Sequence, residues 1–98
     1  MTKEKALHCL AANREKLKDF GVDRLAIFGS VARDEAGADS DIDILVEYQP
    51  GARVGLFGFV RLQRFLSELL GVRVDLATPA ALREEMKDDI LREAIGAA

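Results

Sequence analysis

The sequence carries few soft-metal ligands and no stretch suited to a membrane-spanning helix. Its single cysteine, Cys9, and single histidine, His8, are adjacent and have no second copy anywhere in the chain. An internal disulfide is therefore excluded, and a thiolate and imidazole zinc site has no ligand set to draw on. Both residues are read as packed or exposed, and the lone cysteine agrees with a reducing compartment. No apolar run approaches the ~20 residues of a helical membrane span, and the start, Met1-Thr2-Lys3-Glu4-Lys5, lacks the apolar core of a signal peptide. The expected location is cytoplasmic. Internal repeats, low-complexity tracts, a G-x-G-x-x-G turn and a lysine-bearing phosphate loop are also missing.

What remains is the composition of a folded chain. The 98 residues are 49% hydrophobic and 32% charged, which suits one domain over 1–98 with a single core of three or four packed elements. The net charge of −3 conceals an uneven distribution. Residues 33–47 sum to −5, and residues 48–74, with Arg53, Arg61, Arg64 and Arg73 against Glu68, sum to +3. Concentrated acid repels a nucleic-acid backbone unless cations intervene, which argues against a nonspecific DNA or RNA binder.

Periodicity gives the order of elements. Thr2 is placed to cap a helix over 3–19 with Ala6, Leu7, Leu10, Ala11 and Leu17 on one side, Arg14 snorkelling within that stripe and Gly21 ending it. Residues 24–28 read as a short strand buried on both faces, Gly29-Ser30 breaks it, Val31-Ala32-Arg33 opens one helical turn, and 34–40 form a polar loop. Ile42 to Tyr48 alternate as a second strand, with Ile42, Ile44, Val46 and Tyr48 on one face and Asp41, Asp43, Leu45 and Glu47 on the other. A core helix over 56–70 follows, its stripe being Leu56, Phe59, Val60, Leu62, Leu66, Leu69 and Leu70. Phe57 and Phe65 fall off that stripe and mark either a second covered surface or plain exposure. Residues 73–77 form a third strand. Thr78-Pro79 then starts a helical region whose stripe runs through Leu82, Met86, Ile90, Ala94 and Ile95, with a break near Lys87. This order predicts an α+β fold, a small sheet of about three strands packed with helices.

Three carboxylates stand out against this frame. Asp41 and Asp43 share a strand face, and Asp75 stands between Val74 and Leu76, where an unpaired charge is expensive to bury. Mg²⁺ takes oxygen ligands, commonly one or two carboxylates with substrate phosphates and water. Aspartates at i and i+2, joined by a third from a neighbouring strand, suit the two-metal arrangement of phosphoryl and nucleotidyl transfer. Gly29-Ser30 offers a close backbone approach to phosphate, free N–H groups at a helix start and a hydroxyl, and Arg33 is within reach of phosphate oxygens. Each part has an ordinary reading: a turn for Gly29-Ser30, an edge feature for the paired aspartates, a solvated arginine for Arg33. Their combination is what points to a site.

Gly29-Ser30 followed after ten residues by Asp41-Ile42-Asp43 resembles the signature of the nucleotidyltransferases of the DNA polymerase beta superfamily. Ser30-Val31-Ala32-Arg33, Ser40-Asp41-Ile42-Asp43-Ile44-Leu45-Val46, Val74-Asp75-Leu76 and Ile90-Leu91-Arg92-Glu93-Ala94 are similar to the minimal nucleotidyltransferases within it, and the likeness covers nearly the whole chain. The resemblance implies a polymerase-beta-like mixed sheet and a nucleotide triphosphate held by Gly29 and Ser30. It implies Mg²⁺, as two ions, bound by Asp41, Asp43 and Asp75, with Asp75 also activating the acceptor hydroxyl. Minimal members are commonly the antitoxin half of a pair whose toxin is an all-helical HEPN ribonuclease. The implied reaction is transfer of AMP from ATP to a tyrosine of that toxin. Gly58 inside the long helix, and Arg61 and Arg64 on a face expected to be more acidic, depart from the family and bear on the partner surface. Two other readings stay open: an antitoxin that neutralises by binding alone, and transfer to a small molecule such as an aminoglycoside. The second is disfavoured by the lack of room for an acceptor-binding domain after Ile95.

Overall fold

The computed structural model describes residues 2–29 and 41–79 and the backbone of 95–96. Two helices open the chain, α1 (Lys3–Ala12) and α2 (Arg14–Asp19), where the apolar spacing predicts one. The break falls at Asn13, whose side-chain Nδ2 donates to the Cys9 carbonyl at 2.8 Å while its backbone leaves helical geometry at φ −112° and ψ 21°. Asparagine offers the backbone this local alternative, and a stripe of apolar residues does not report it. The Thr2 cap forms as expected, its hydroxyl accepting from the Lys5 N–H. Ala6, Leu10 and Leu17 are buried, Leu7 is half-buried, and Ala11 and Arg14 are exposed.

Strand β1 (Val22–Phe28) is two residues longer than its apolar run, because Val22 pairs with the end of β2 (Ile42–Tyr48) across an irregularity at Asp23. After the turn comes α3 (Leu56–Leu70), then β3 (Val74–Ala77) and a short β4 (Ile95–Gly96). The sheet has the order β3-β2-β1-β4. β2 runs parallel to β3 and antiparallel to β1, and β4 runs antiparallel to β1. The sheet is therefore mixed, and it has a fourth strand. Ile95, expected in a helical stripe, instead pairs with Ile27 in the ladder. The helix expected over 80–94 lies outside the described residues.

Register divides the sheet into two faces. On one, Ile27, Ile44 and Leu76 form a row across three strands, flanked by Leu25 with Val46 and by Ile42 with Val74. These residues are buried together with Leu62, Leu66 and Leu70 of α3 and Ala6, Leu10 and Leu17 of the first two helices. Phe65 belongs to this side as well, its ring 5.1 Å from that of Phe20, an aromatic contact worth about 1 kcal/mol beyond its buried area. Leu56 and Val60 do not: they are 75% and 44% exposed, and Phe57 is 81% exposed. The angular spacing is helical along all of α3, but in its first turn Phe59 packs against the core while Leu56 and Phe57 face solvent. Gly58 sits where the helix meets the preceding segment, and a Cβ there would lie 3.1 Å from Val54 Cγ1.

At Val74 the outer edge of β3 is closed by side chains. Ser67 Oγ accepts from the Val74 N–H at 3.2 Å, and Gln63 Nε2 donates to the Val74 carbonyl at 2.9 Å. Both residues stand on α3, one turn apart, so the helix fixes the strand through its backbone as well as through Leu66 and Leu70.

Tyr48 closes the far end of β2. Its ring packs against the core, and among the described residues its buried hydroxyl has no hydrogen-bond partner. Desolvation raises its pKa above the usual tyrosine value. The unfolded chain therefore releases this proton first, so stability holds below about pH 10 and falls as pH rises through the higher native value. Tyr48→Phe is expected to remove that alkaline loss and to leave stability at neutral pH equal or about 1 kcal/mol higher, since an unsatisfied hydroxyl is deleted. Urea melts at pH 7 and pH 11 check this. As the chain has one tyrosine and no tryptophan, tyrosinate absorbance reads the ionisation directly.

Candidate active site

The second face of the sheet carries the acid. Phe28, Asp43 and Asp75 lie side by side across β1, β2 and β3, and paired residues in a sheet project to the same side. The next row is Ala26, Leu45 and Ala77, with Leu45 buried between two small neighbours. β1 is therefore half-buried on this face and not covered on both sides as its short apolar run suggests, since Ala26 and Phe28 stay partly accessible. Asp43 is half-buried and Asp75 exposed. Desolvation thus does not mark Asp75, contrary to the expectation from its apolar neighbours: Val74 and Leu76 point into the core and Asp75 points away. What singles it out is its register opposite Asp43.

Gly29 completes this end of the sheet. It follows β1 at φ +75°, a left-handed conformation that favours glycine. A Cβ built there would overlap Asp43 Oδ2 and approach Asp43 Cγ at 3.1 Å. The Asp43 carboxylate thus occupies the space a side chain at position 29 would fill, and the turn and the aspartate require each other. Asp41 stands one residue ahead of β2 and is exposed. Ser30 and Arg33 lie outside the described residues.

This donor set is all oxygen, which suits Mg²⁺ and not a soft metal. Register brings two carboxylates together, Asp43 and Asp75. Among the described residues no group of three histidine, cysteine or carboxylate side chains is close enough to hold a metal by itself. Two carboxylates with the remaining positions left to phosphate and water is the usual protein share of a Mg²⁺ site in phosphoryl-transfer enzymes.

Arg73 is a neighbour of the site that motif and charge pattern do not single out. It precedes β3 and, by alternation, shares the outward side of the chain with Asp75. The Arg-x-Asp spacing is the signal that places it there, and it is visible only when Asp75 is considered together with the residue two positions ahead.

Residues 10–96 match the nucleotidyltransferase domain family. The chain belongs to that family. It is 38% identical over 96 residues to the protein adenylyltransferase MntA of Thermococcus cleftensis, a match that spans 97% of this chain and 95% of the relative. Its fold is similar to a solved minimal nucleotidyltransferase at 39% identity and a TM-score of 0.80, covering 97% of this chain and 95% of the other. A chain in a toxin–antitoxin crystal structure with AMP-PNP shares the fold at a TM-score of 0.72 and 19% identity, over 91% of this chain and 72% of that one. The protein is a nucleotidyltransferase with the polymerase-beta-like mixed sheet of the minimal members. No helix among the described residues is long and apolar enough to cross a membrane.

Proposed function

We propose that this nucleotidyltransferase is a Mg²⁺-dependent antitoxin that acts as a single domain over 1–98 and transfers AMP from ATP to a tyrosine of a partner HEPN-type ribonuclease toxin, silencing it in the cytoplasm. The observation that carries this reading is the register of Asp43 with Asp75 at the end of the sheet where Gly29 admits the Asp43 carboxylate. The relative named as a protein adenylyltransferase and the fold shared with a toxin–antitoxin chain support the acceptor class and the partner.

In this reading the Gly29-Ser30 turn and Arg33 hold the triphosphate, and Asp41, Asp43 and Asp75 hold magnesium. When bound with the triphosphate, the metal supplies Lewis-acid polarisation of the α-phosphoryl group and offsets the charge that develops there. Asp75 accepts the proton of the acceptor hydroxyl. The acceptor oxygen forms a bond to the α-phosphorus, the bond between that phosphorus and the bridging oxygen breaks, and pyrophosphate leaves.

A tyrosine acceptor has to come from another molecule. The one tyrosine of this chain, Tyr48, lies at the opposite end of β2 from Asp43, with its hydroxyl buried. Five residue steps of extended strand separate the two, about 17 Å.

The test is incubation with labelled ATP, Mg²⁺ and the toxin expected to be encoded beside the gene. Label on a toxin tyrosine is expected from the wild type and not from the Asp41→Asn, Asp43→Asn double variant, which should also fail to protect cells. Full protection by that double variant would instead establish an antitoxin that works by binding alone.

A further inference from the structure

The exposed side of α3 has more apolar surface than solvent contact requires. Leu56, Val60, Arg64, Phe57, Glu68 and Arg61 fall within one arc of about 140° at 100° per residue, opposite the buried Leu62, Leu66 and Leu70. The N-terminal half of this arc is apolar and its middle is basic. Beside it, where α3 meets the start of β3, two adjoining hollows of about 570 Å³ and 360 Å³ share Arg64, Ser67 and Arg73 in their walls. Val60 lines the smaller hollow and Val72 the larger, so apolar surface continues into the groove. Arg53, Arg61, Arg64 and Arg73 are all exposed, and residues 48–74 hold Glu68 as their one acid.

We infer that this face of α3, with the groove between Arg64 and Arg73, is the docking surface for the partner protein, and that the surface it receives carries carboxylates beside apolar side chains. The inference rests on the proposed reading for the existence of a protein partner; the position and chemistry of the surface come from this molecule alone. Charge sets the chemistry: the exposed Arg61, Arg64 and Arg73 outnumber Glu68 on this side, so an acidic surface is attracted to it. Continuity sets the position. Arg73 stands in the wall of both hollows, and Asp75 follows it two residues on. A partner seated in the groove therefore meets β3 at its first residues, two positions in sequence before the carboxylate that would take the acceptor proton. Phe57, 81% exposed, has the size and placement of an aromatic anchor in such an interface.

The experiment measures binding of the neighbouring toxin, and AMP transfer to it, for the wild type, for the Arg64→Glu, Arg73→Glu double variant and for Phe57→Ser. All three positions are exposed, and circular dichroism and melting check that each variant folds. Toxin Kd is expected to weaken by about a hundred-fold in the double variant, where two attractions become repulsions, and by about ten-fold or more in Phe57→Ser. The wild-type Kd is expected to weaken as salt rises. Wild-type-like Kd in both variants overturns the docking surface and leaves the transfer reading standing if label still reaches the toxin. Loss of binding in the variants, with a wild type that binds but never labels the toxin, supports the docking surface and overturns the transfer reading. Light scattering adds a third arm: self-association in the wild type that both variants lose, with toxin binding unchanged, assigns the face to a second copy of this chain and overturns the inference.

Discussion

Asp75→Asn is expected to lower AMP transfer by on the order of 10³-fold while the protein becomes no less stable. The two effects have one origin. Asp75 and Asp43 occupy paired positions on parallel neighbouring strands and project to the same side, and like charges placed directly opposite destabilise a sheet by roughly 0.2–1 kcal/mol. Removing one charge relieves that repulsion. The asparagine keeps the size of the side chain, and Val74 and Leu76 keep their places in the core. The same change deletes an oxygen ligand for a cation and the acceptor of the hydroxyl proton, whose combined contribution is several kcal/mol of transition-state stabilisation, each 1.36 kcal/mol being a factor of ten. Urea midpoints and single-turnover labelling, taken on the same preparations, check both halves. A variant that lost stability in step with activity would show that Asp75 serves the fold, and one that kept full activity would remove it from the reaction.

Gly29→Ala is expected to damage both properties at once. A residue with a Cβ at φ +75° costs about 1–2 kcal/mol from backbone strain, and here the added carbon also overlaps the Asp43 carboxylate. The side chain of Asp43 has to turn away, and a displacement of about 1 Å at a reacting centre costs on the order of 10²-fold in rate. Gly71→Ala separates the two causes. Gly71 ends α3 at φ +70°, and a Cβ added there would meet nothing within 4 Å, so its replacement carries the strain without the collision. Similar losses of stability in the two variants, with transfer lost only at position 29, are the expected pattern. Equal activity in both would mean that Asp43 does not need the space that glycine leaves.

The parts of the molecule legible in the sequence are those set by local period. Ile42 to Tyr48 alternate cleanly, and their two faces are those the period assigns; the helix over 56–70 has its expected bounds. What the period cannot report is where an element runs out of neighbours. Leu56 and Val60 have helical spacing identical to that of Leu66 and Leu70, yet the first pair is exposed and the second buried. Asn13 breaks the first helix through a side-chain hydrogen bond to Cys9 that no apolar pattern encodes. Ile95 joins the sheet because β1 offers it an edge, a tertiary opportunity invisible from its own segment.

For the candidate site the same division holds. The shared face of Asp41 and Asp43 follows from alternation, but the partnership of Asp43 with Asp75 depends on a register between strands 25 or more residues apart. Apolar neighbours in sequence make Asp75 look buried; its exposure removes that reason for singling it out, and the register opposite Asp43 supplies a different one. The tight fit of Gly29 against Asp43 is likewise out of reach of sequence, because a glycine after a strand serves equally well as an ordinary turn.

The hydrogen bonds from Gln63 and Ser67 to Val74 have a consequence for how this protein meets others. A bare strand edge invites strand addition, in which a foreign segment extends the sheet by main-chain pairing with little regard for its sequence. At Val74 the N–H and the carbonyl that such a segment would use are already engaged by the helix. Recognition beside Asp75 is thereby left to side chains, which discriminate between partners by shape and charge, and a change of partner requires only surface substitutions on α3 with the sheet left as it is.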